Sequence, residues 1–596
     1  MLDPGNPQIT PEEVPGVIHL PMNGVPPFRL LHAKLALLGF RHTSDARQWR
    51  LRLIVSTGNW TRQTLEDSLD LAWRIDLCDQ DLKSEDSVVL LAFADLRAAW
   101  GMLNWLRGHC DFRVLSARAP GSQDFESAST TVERWIANAK HLGTGLAPRF
   151  FDNRGSSLLA QLPELVRKHS SQSARNYLGL GSGFYESSDK NGIPSVLRSI
   201  VDTLHEAELL TRQPEIDIFV NPRACQAVAN SVPAFNSARW KVREAGQPEC
   251  FKVSRSLHAK FVFSANHREN SHICNNAWLY LGSGNLTGPG FANKMASQSG
   301  NLEAGVVFTP DLLRWSPAKG IPPESVLTNL LPLQWETDFS QSPGALGAGN
   351  DMPDPETQYS AAPVAYFFWI IEDDICWLRT SEEITESFDL LDDADNDCRR
   401  EPIKGFPWRG QRPRQVQLRW HVDGQERRAW VPVIDEFGRV AATILPRIDI
   451  EEAWNQLANF PMPPDEEDLL ADGNTESTDD AAQQGSAASL TANYPVRQLM
   501  QLVENIAAKQ ISVSKADWVT WCTRLEQCLI QAAGSTVLKE FLNLNLNPIS
   551  PLWHCPFRPA FAATGETADG IRYEIVLKRV ETAWNVAGLS RFGDQL

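Results

Sequence analysis

Two copies of one tripeptide, His32-Ala33-Lys34 and His258-Ala259-Lys260, stand 226 residues apart in this chain. Each is followed by an asparagine in a turn of small residues, Ser56-Thr57-Gly58-Asn59 and Gly282-Ser283-Gly284-Asn285. His to Asn spans 27 residues in both copies, and Thr61 and Thr287 extend the match. These residue types handle phosphate. A lysine brings a positive charge and three donors to phosphoryl oxygens. An asparagine adds an NH₂ donor, and glycine and serine beside it let backbone and anion approach closely. A neutral imidazole can attack phosphorus, and a protonated one can give its proton to a leaving oxygen. One copy offers a single histidine, so the repeat implies two halves that each supply half of a site. Two histidines on opposite sides of one phosphodiester would work in line, with Lys34, Lys260, Asn59 and Asn285 on the oxygens where negative charge builds. This scheme calls for no cofactor and no metal.

Duplicated His-x-Lys motifs with a downstream Gly/Ser-rich Asn turn resemble the phospholipase D superfamily over roughly residues 30–310. An Asp five residues after the Lys is usual there, and this chain has Gly39 and Ala265 instead. That departure resembles the tyrosyl-DNA phosphodiesterase branch, in which a second polar residue follows each Asn. The candidates here are Asp70, with Glu66 as an alternative where the branch would have Gln, and Glu303 in Gly300-Asn301-Leu302-Glu303. A carboxylate beside each histidine would accept the other ring N–H, fix the tautomer and raise the imidazole pKa. Ser283 is a further supporting candidate. The resemblance implies a covalent phosphohistidine on His32, with His258 as acid and then base. Nothing local to either motif separates the two roles.

The elements that must hold these residues read as strands and helices in alternation. Trp49–Ser56 alternates as a strand ending at the first Asn turn, and Ala277–Gly282 ends at the second. Leu31–Phe40 and Leu257–Ser264 read as strands carrying His and Lys two apart, on one face. Helices are expected over Leu90–Leu106, Thr131–Leu142, Ser156–His169 and Pro194–Leu210, and strands near Tyr177–Gly181 and Glu215–Val220. The second motif thus has a strand–helix–strand unit ahead of it, whereas the first has only 31 residues, rich in Pro and Gly. The predicted class is α/β. Two pseudo-symmetric phospholipase D-like halves, with mixed sheets flanked by helices, would span 1–170 and 171–345. A β-rich module follows at 360–450, with Gln415–Val422 and Gln425–Ile434 around Asp423-Gly424 as a hairpin. An acidic flexible linker is expected at 460–490. A small C-terminal helical or α+β domain fills 491–596, with a strand at Ile571–Leu577.

The totals constrain function further. With 596 residues and a formal net charge of −17, the chain does not look like a non-specific nucleic-acid coat. A local basic groove stays possible, because fields are set within about 10 Å. The 10 cysteines form no Cys-x-x-Cys pair, which fits a reducing cytosol. No secretory signal is visible, and no apolar run approaches the roughly 18 residues of a membrane span. The expected partner is DNA, with no membrane, and residues 360–596 are candidates for contacts with partner proteins. Arg409, Arg412 and Arg414 with Trp408 could track a nucleic-acid strand. A hairpin face turned to water, just after the acidic run Glu386–Asp397, is the slightly favoured explanation. The expected activity is a metal-independent phosphodiesterase on DNA, cytoplasmic, or nuclear in a eukaryote. It would process tyrosyl-type ends or act as a nuclease. The alternatives are a phospholipid hydrolase and a non-catalytic nucleic-acid-binding or scaffold subunit of a bacterial defence or repair complex.

Overall fold

In the computed structural model, strand β1 (Leu35–Arg41) pairs antiparallel with β2 (Trp49–Ser56), and β2 pairs antiparallel with β4 (Ala72–Cys78). The structure describes residues 20–434, 448–460 and 495–591. Short stretches within these are excepted, the longest being 118–127 and 350–360. Thr61, Glu66, Asp423 and the expected linker at 461–490 lie outside the described residues. The chain divides into two units, Met1–Ala441 and Ala442–Leu596.

The first unit is mixed α/β. After β1, β2, a short β3 (Ser68–Leu69) and β4 come helices α1 (Ser87–Arg107) and α2 (Ala128–Asn138). Next are β5 (Phe150–Asp152), α3 (Leu158–His169), β6 (Arg175–Gly181), α4 (Ser195–Glu206), β7 (Leu210–Val220) and β8 (Lys241–Glu244). A two-residue β9 (Ser256–Leu257) leads to β10 (Phe261–Arg268), β11 (Ser271–Gly282) and β12 (Ala304–Phe308). The larger sheet runs β5-β12-β11-β10-β6-β7-β8, while β1-β2-β4 forms a separate sheet of three strands. The register Leu38↔Arg52 of β1 and β2 recurs as Ser264↔Trp278 in β10 and β11, at an offset of 226. Ile54↔Arg74 recurs as Tyr280↔Val307. Among the described residues, the smaller sheet holds no counterparts of β6, β7 and β8.

Alternating apolar residues bury one face of the small sheet. Leu51, Leu53, Val55, Trp73 and Leu77 are buried, and helices α1 and α2 cover part of them through Phe93, Leu96, Trp135 and Ile136. Helix α1 begins at an Asp86 cap that accepts the Val88 N–H. Its 21 residues are long and apolar enough to cross a membrane by length and composition, contrary to the expectation from sequence. Its apolar face is spent inside the unit, where Ala99, Met102 and Leu106 join the core and buried Asp95 is ion-paired to Arg149 at 2.7 Å.

Seven further strands complete the first unit: β13 (Phe367–Glu372), β14 (Ile375–Arg379), β15 (Phe388–Leu391), β16 (Asp397–Cys398), β17 (Phe406–Trp408), β18 (Gln415–Val422) and β19 (Gln425–Ile434). They form one sheet ordered β16-β15-β18-β19-β13-β14-β17. Tyr366, Phe368 and Ile434 pack into the same core as β10 and β11.

The second unit is helical: α5 (Ile450–Ala458), α6 (Pro495–Ile511), α7 (Trp518–Gln531), α8 (Thr536–Asn543) and α9 (Ala568–Ala583). Helix α5 shares its core, so this unit begins before the acidic stretch, not after it. The strand expected at Ile571–Leu577 is instead the middle of α9, because Tyr573, Val576, Leu577 and Val580 all turn into that core. The eight cysteines described are free thiols.

Candidate active site

Neither His-x-Lys segment lies inside a strand. His32 and Lys34 occupy the extended lead into β1, and His258 and Lys260 the link between β9 and β10. Short parallel pairings fix both leads. Leu257 pairs with Leu69, and His258 N–H and Ala259 N–H donate to Leu69 O at 3.0 and 2.7 Å. Leu31 pairs with Leu302, and His32 N–H donates to Leu302 O at 3.1 Å. The residue before each histidine therefore pairs with the residue before a carboxylate of the other motif, Asp70 or Glu303.

The side chains follow the same crossed pattern. His32 Nδ1 lies 2.9 Å from Glu303 Oε1 and 3.0 Å from Oε2. His258 Nδ1 lies 3.0 Å from Asp70 Oδ1 and 3.2 Å from Oδ2. A carboxylate facing Nδ1 makes that nitrogen the N–H donor and leaves Nε2 with its lone pair. Each carboxylate is held by the hydroxyl two residues before a motif Asn. Thr57 Oγ1 donates to Asp70 Oδ1 at 2.7 Å, and Ser283 Oγ donates to Glu303 Oε2. The backbone closes the brackets alike, with Leu71 N–H on Thr57 Oγ1 at 2.8 Å and Ala304 N–H on Ser283 Oγ at 3.0 Å. Gly58 is needed for close approach, since a β-carbon there would fall 2.5 Å from the Asp70 carboxylate.

Both lysines are buried and reach back to their own motif. Lys34 Nζ donates to His32 O at 2.8 Å. Lys260 Nζ donates to His258 O at 2.6 Å and crosses to Thr57 O at 3.1 Å. It also lies 3.0 Å from His258 Nε2 and 3.2 Å from Nδ1, a near-equal spacing that puts the ammonium over the ring face rather than on one lone pair. Asn285 is buried beside Ser182, whose Oγ accepts the Leu286 N–H at 3.1 Å, whereas Asn59 sits on an exposed turn. The two asparagines are thus not equivalent in the way the repeat predicts.

Electrostatics corrects a second expectation. The carboxylates do favour protonated imidazoles, but burial outweighs them, with help from the lysines. His32 is lowered to about 4, first by desolvation and then by Lys34 and Lys260 against the pull of Glu303. His258 is lowered as well, by desolvation and by Lys260 and Lys34. Burial and the Lys34 charge hold Lys260 well below the usual ammonium range. Desolvation opposes ionisation of Glu303 and Asp70. Contacts with His32, Lys34 and Ser283 for the first, and with His258, Lys260 and Thr57 for the second, overcome it and keep both carboxyls below their ordinary values. The resting site holds neutral imidazoles, ionised carboxylates and crowded lysines, so an anion entering it would relieve the strain between the lysines.

Several positioning residues escaped the sequence reading. Asn301 Nδ2 donates to Glu303 Oε1 at 3.0 Å. Asn153 is buried next to β5, accepts the Glu303 N–H at 2.9 Å and donates to Asn301 O at 2.8 Å. Asn221, after β7, clamps Leu257 with both ends of its amide, accepting its N–H at 2.7 Å and donating to its O at 2.8 Å. Gly183 backs His258 so tightly that a β-carbon would fall 3.0 Å from the histidine Cα. Only proximity to Glu303 in sequence could have pointed to Asn301; the others come from remote strand ends.

The weaker candidates fare differently. Trp408 is buried in the core of the β13–β19 sheet and presents no face to a nucleic acid. Arg409 is exposed and Arg412 and Arg414 half-buried. Nearby arginines are matched by the preceding acidic run, Arg419 with Asp389 and Asp397, and Arg428 with Asp395. That neutralisation favours the water-facing hairpin. Among the described residues no group of three or more His, Cys, Asp or Glu is placed to hold a metal. No known protein family model matches the chain, and no curated protein matches it.

Proposed function

We propose that this chain is a phosphodiesterase of the phospholipase D type, acting on DNA through a covalent phosphohistidine, with two related halves contributing one His-Lys-Asn set each. The observation that carries the reading is the exchange of carboxylates, His32 with Glu303 and His258 with Asp70. It gives two oriented imidazoles beside two buried lysines, Lys260 lying 3.0 Å from His258 Nε2. In the proposed reaction the His32 Nε2 lone pair attacks phosphorus, the P–O bond to the leaving group breaks, and His258 gives that oxygen its proton. Neutral His258 then takes a proton from water, the hydroxide attacks phosphorus, the P–N bond breaks and His32 is restored. Lys34 and Lys260 neutralise the equatorial oxygens throughout.

The difference in burial supports a division of the roles. The His32 side chain is 14% exposed and its partner Glu303 fully buried, against 27% and 8% for His258 and Asp70. The deeper imidazole, neutral down to about pH 4, suits the nucleophile. The more open one suits exchange of protons with leaving group and water. The test is to incubate the protein, with EDTA, with labelled DNA bearing a 3′-phosphotyrosyl end, with plain single- and double-stranded DNA, and with phospholipid vesicles. Rapid quench in alkaline denaturant, which spares the acid-labile P–N bond, should trap the phosphoryl end of the DNA on His32. Lipid turnover alone, or a strict requirement for added Mg²⁺, overturns the proposal.

A further inference from the structure

The outer face of the β1-β2-β4 sheet carries no helix among the described residues, unlike its equivalent in the larger sheet. There Trp278, Tyr280 and Val307 are wholly buried, and α3 and α4 pack over them through Leu158, Leu162 and Leu197. The register-equivalent residues of the small sheet are Arg52, Ile54 and Arg74. Arg50 and Arg74 are exposed, and Leu38 and Phe40 are 42% and 47% exposed on the same face. Arg52 stands over the Phe40 ring at 5.9 Å and donates to Asp76 at 2.7 Å, and Arg74 shares that carboxylate at 3.3 Å. Two guanidiniums, Arg52 and Arg74, thus share one carboxylate beside exposed Arg50, on a face of a chain whose net charge is −17.

We infer that this face is a docking surface for single-stranded DNA, the segment of substrate that flanks the scissile phosphate. It rests on the phosphodiesterase reading for the identity of the polyanion. Charge selects a phosphate backbone, and an open aromatic among arginines offers a stacking platform for bases. Continuity selects the same strand that enters the site: Lys34 immediately precedes β1 and the Asn59 turn immediately follows β2. A seven-residue β1 carries the face about 20 Å away from the site.

The experiment uses the full chain, wild type and Arg50→Ala/Arg74→Ala, with fluorescein-labelled dT20 followed by anisotropy across salt concentration. Each lost phosphate contact should flatten the plot of log K against log salt by about 0.7. The double variant should therefore lose about 1.4 in slope and roughly tenfold or more in affinity at low salt, and Phe40→Ala should weaken binding without changing the slope. Hydrolysis of a small chromogenic phosphodiester, too short to reach the face, should be unchanged in both variants. An unaltered slope overturns the surface. So does a dimer, seen by light scattering, that Phe40→Asp abolishes, because a second copy then covers the face. Loss of slope in a protein that hydrolyses no diester leaves the surface standing and refutes the catalytic reading instead.

Discussion

Glu303 meets His32 at 2.9 Å although 271 residues separate them, and it does so from the strand lead of the other motif. The carboxylate that orients each histidine therefore belongs to the opposite motif. Neither histidine is paired with a carboxylate of its own motif, and a folded but separated half would hold its imidazole without a tautomer-fixing partner.

Glu303→Gln keeps shape and removes the charge. A neutral amide can donate to Nδ1, which turns the imidazole to the wrong tautomer, with Nε2 protonated. We expect kcat to fall by about 10²–10⁴ with little change in KM, and Asp70→Asn to behave alike. Steady-state kinetics on one DNA substrate decides this, and a loss under about threefold for both variants would remove the carboxylates from the mechanism.

The pH dependence of kcat/KM follows from the lowered imidazoles. His32 must be neutral to attack, so activity falls as pH drops through about 4. His258 must be protonated to release the leaving group, so activity falls as pH rises past its own value, which burial holds below 6.5. The expected profile is a bell on the acid side of neutrality. A rate that climbs steadily through pH 8 contradicts these assignments.

Stability should carry the same signature. The His32 imidazole takes up its proton near pH 4 when folded and near 6.5 when unfolded. Between those values the unfolded chain binds more protons, so stability is full above 6.5 and falls as pH drops toward 4, by about 3 kcal/mol for this group. Urea unfolding of His32→Asn at pH 7 and pH 4.5 should show a smaller difference than the wild type. Equal differences would mean that His32 is not desolvated as described.

Asn221→Ala removes a clamp that satisfies both polar groups of Leu257. We expect a loss of about 1–3 kcal/mol in stability and a larger proportional loss in kcat than in KM, since His258 is the next residue. The His258 ring resonances, followed by NMR titration, should also shift or broaden. Unchanged resonances together with reduced stability would make Asn221 a structural residue only.

Much of the secondary structure was legible because its cause is local. Trp49–Ser56 and Gln415–Val422 alternate apolar and polar residues, Gln425–Ile434 follows the Asp423-Gly424 turn signal, and each is a strand over those residues. Helix α9 misled for the same reason. Ile571, Tyr573, Ile575 and Leu577 alternate as in a strand, yet Ile571 and Ile575 are 48% and 43% exposed while Tyr573 and Leu577 are buried. What decides between the two periods is the shape of the surrounding core, which no window of sequence contains.

The chain's own sequence determined which side chains could meet a phosphate, because the repeat keeps His, Lys and Asn at one spacing in both copies. Tertiary structure alone decided that the carboxylates are exchanged between motifs, that Asn285 is built in while Asn59 is exposed, and that the imidazoles titrate low instead of high. Those outcomes depend on the distances between remote residues and on how much water reaches them. Both are properties of the packed chain and not of any stretch of it.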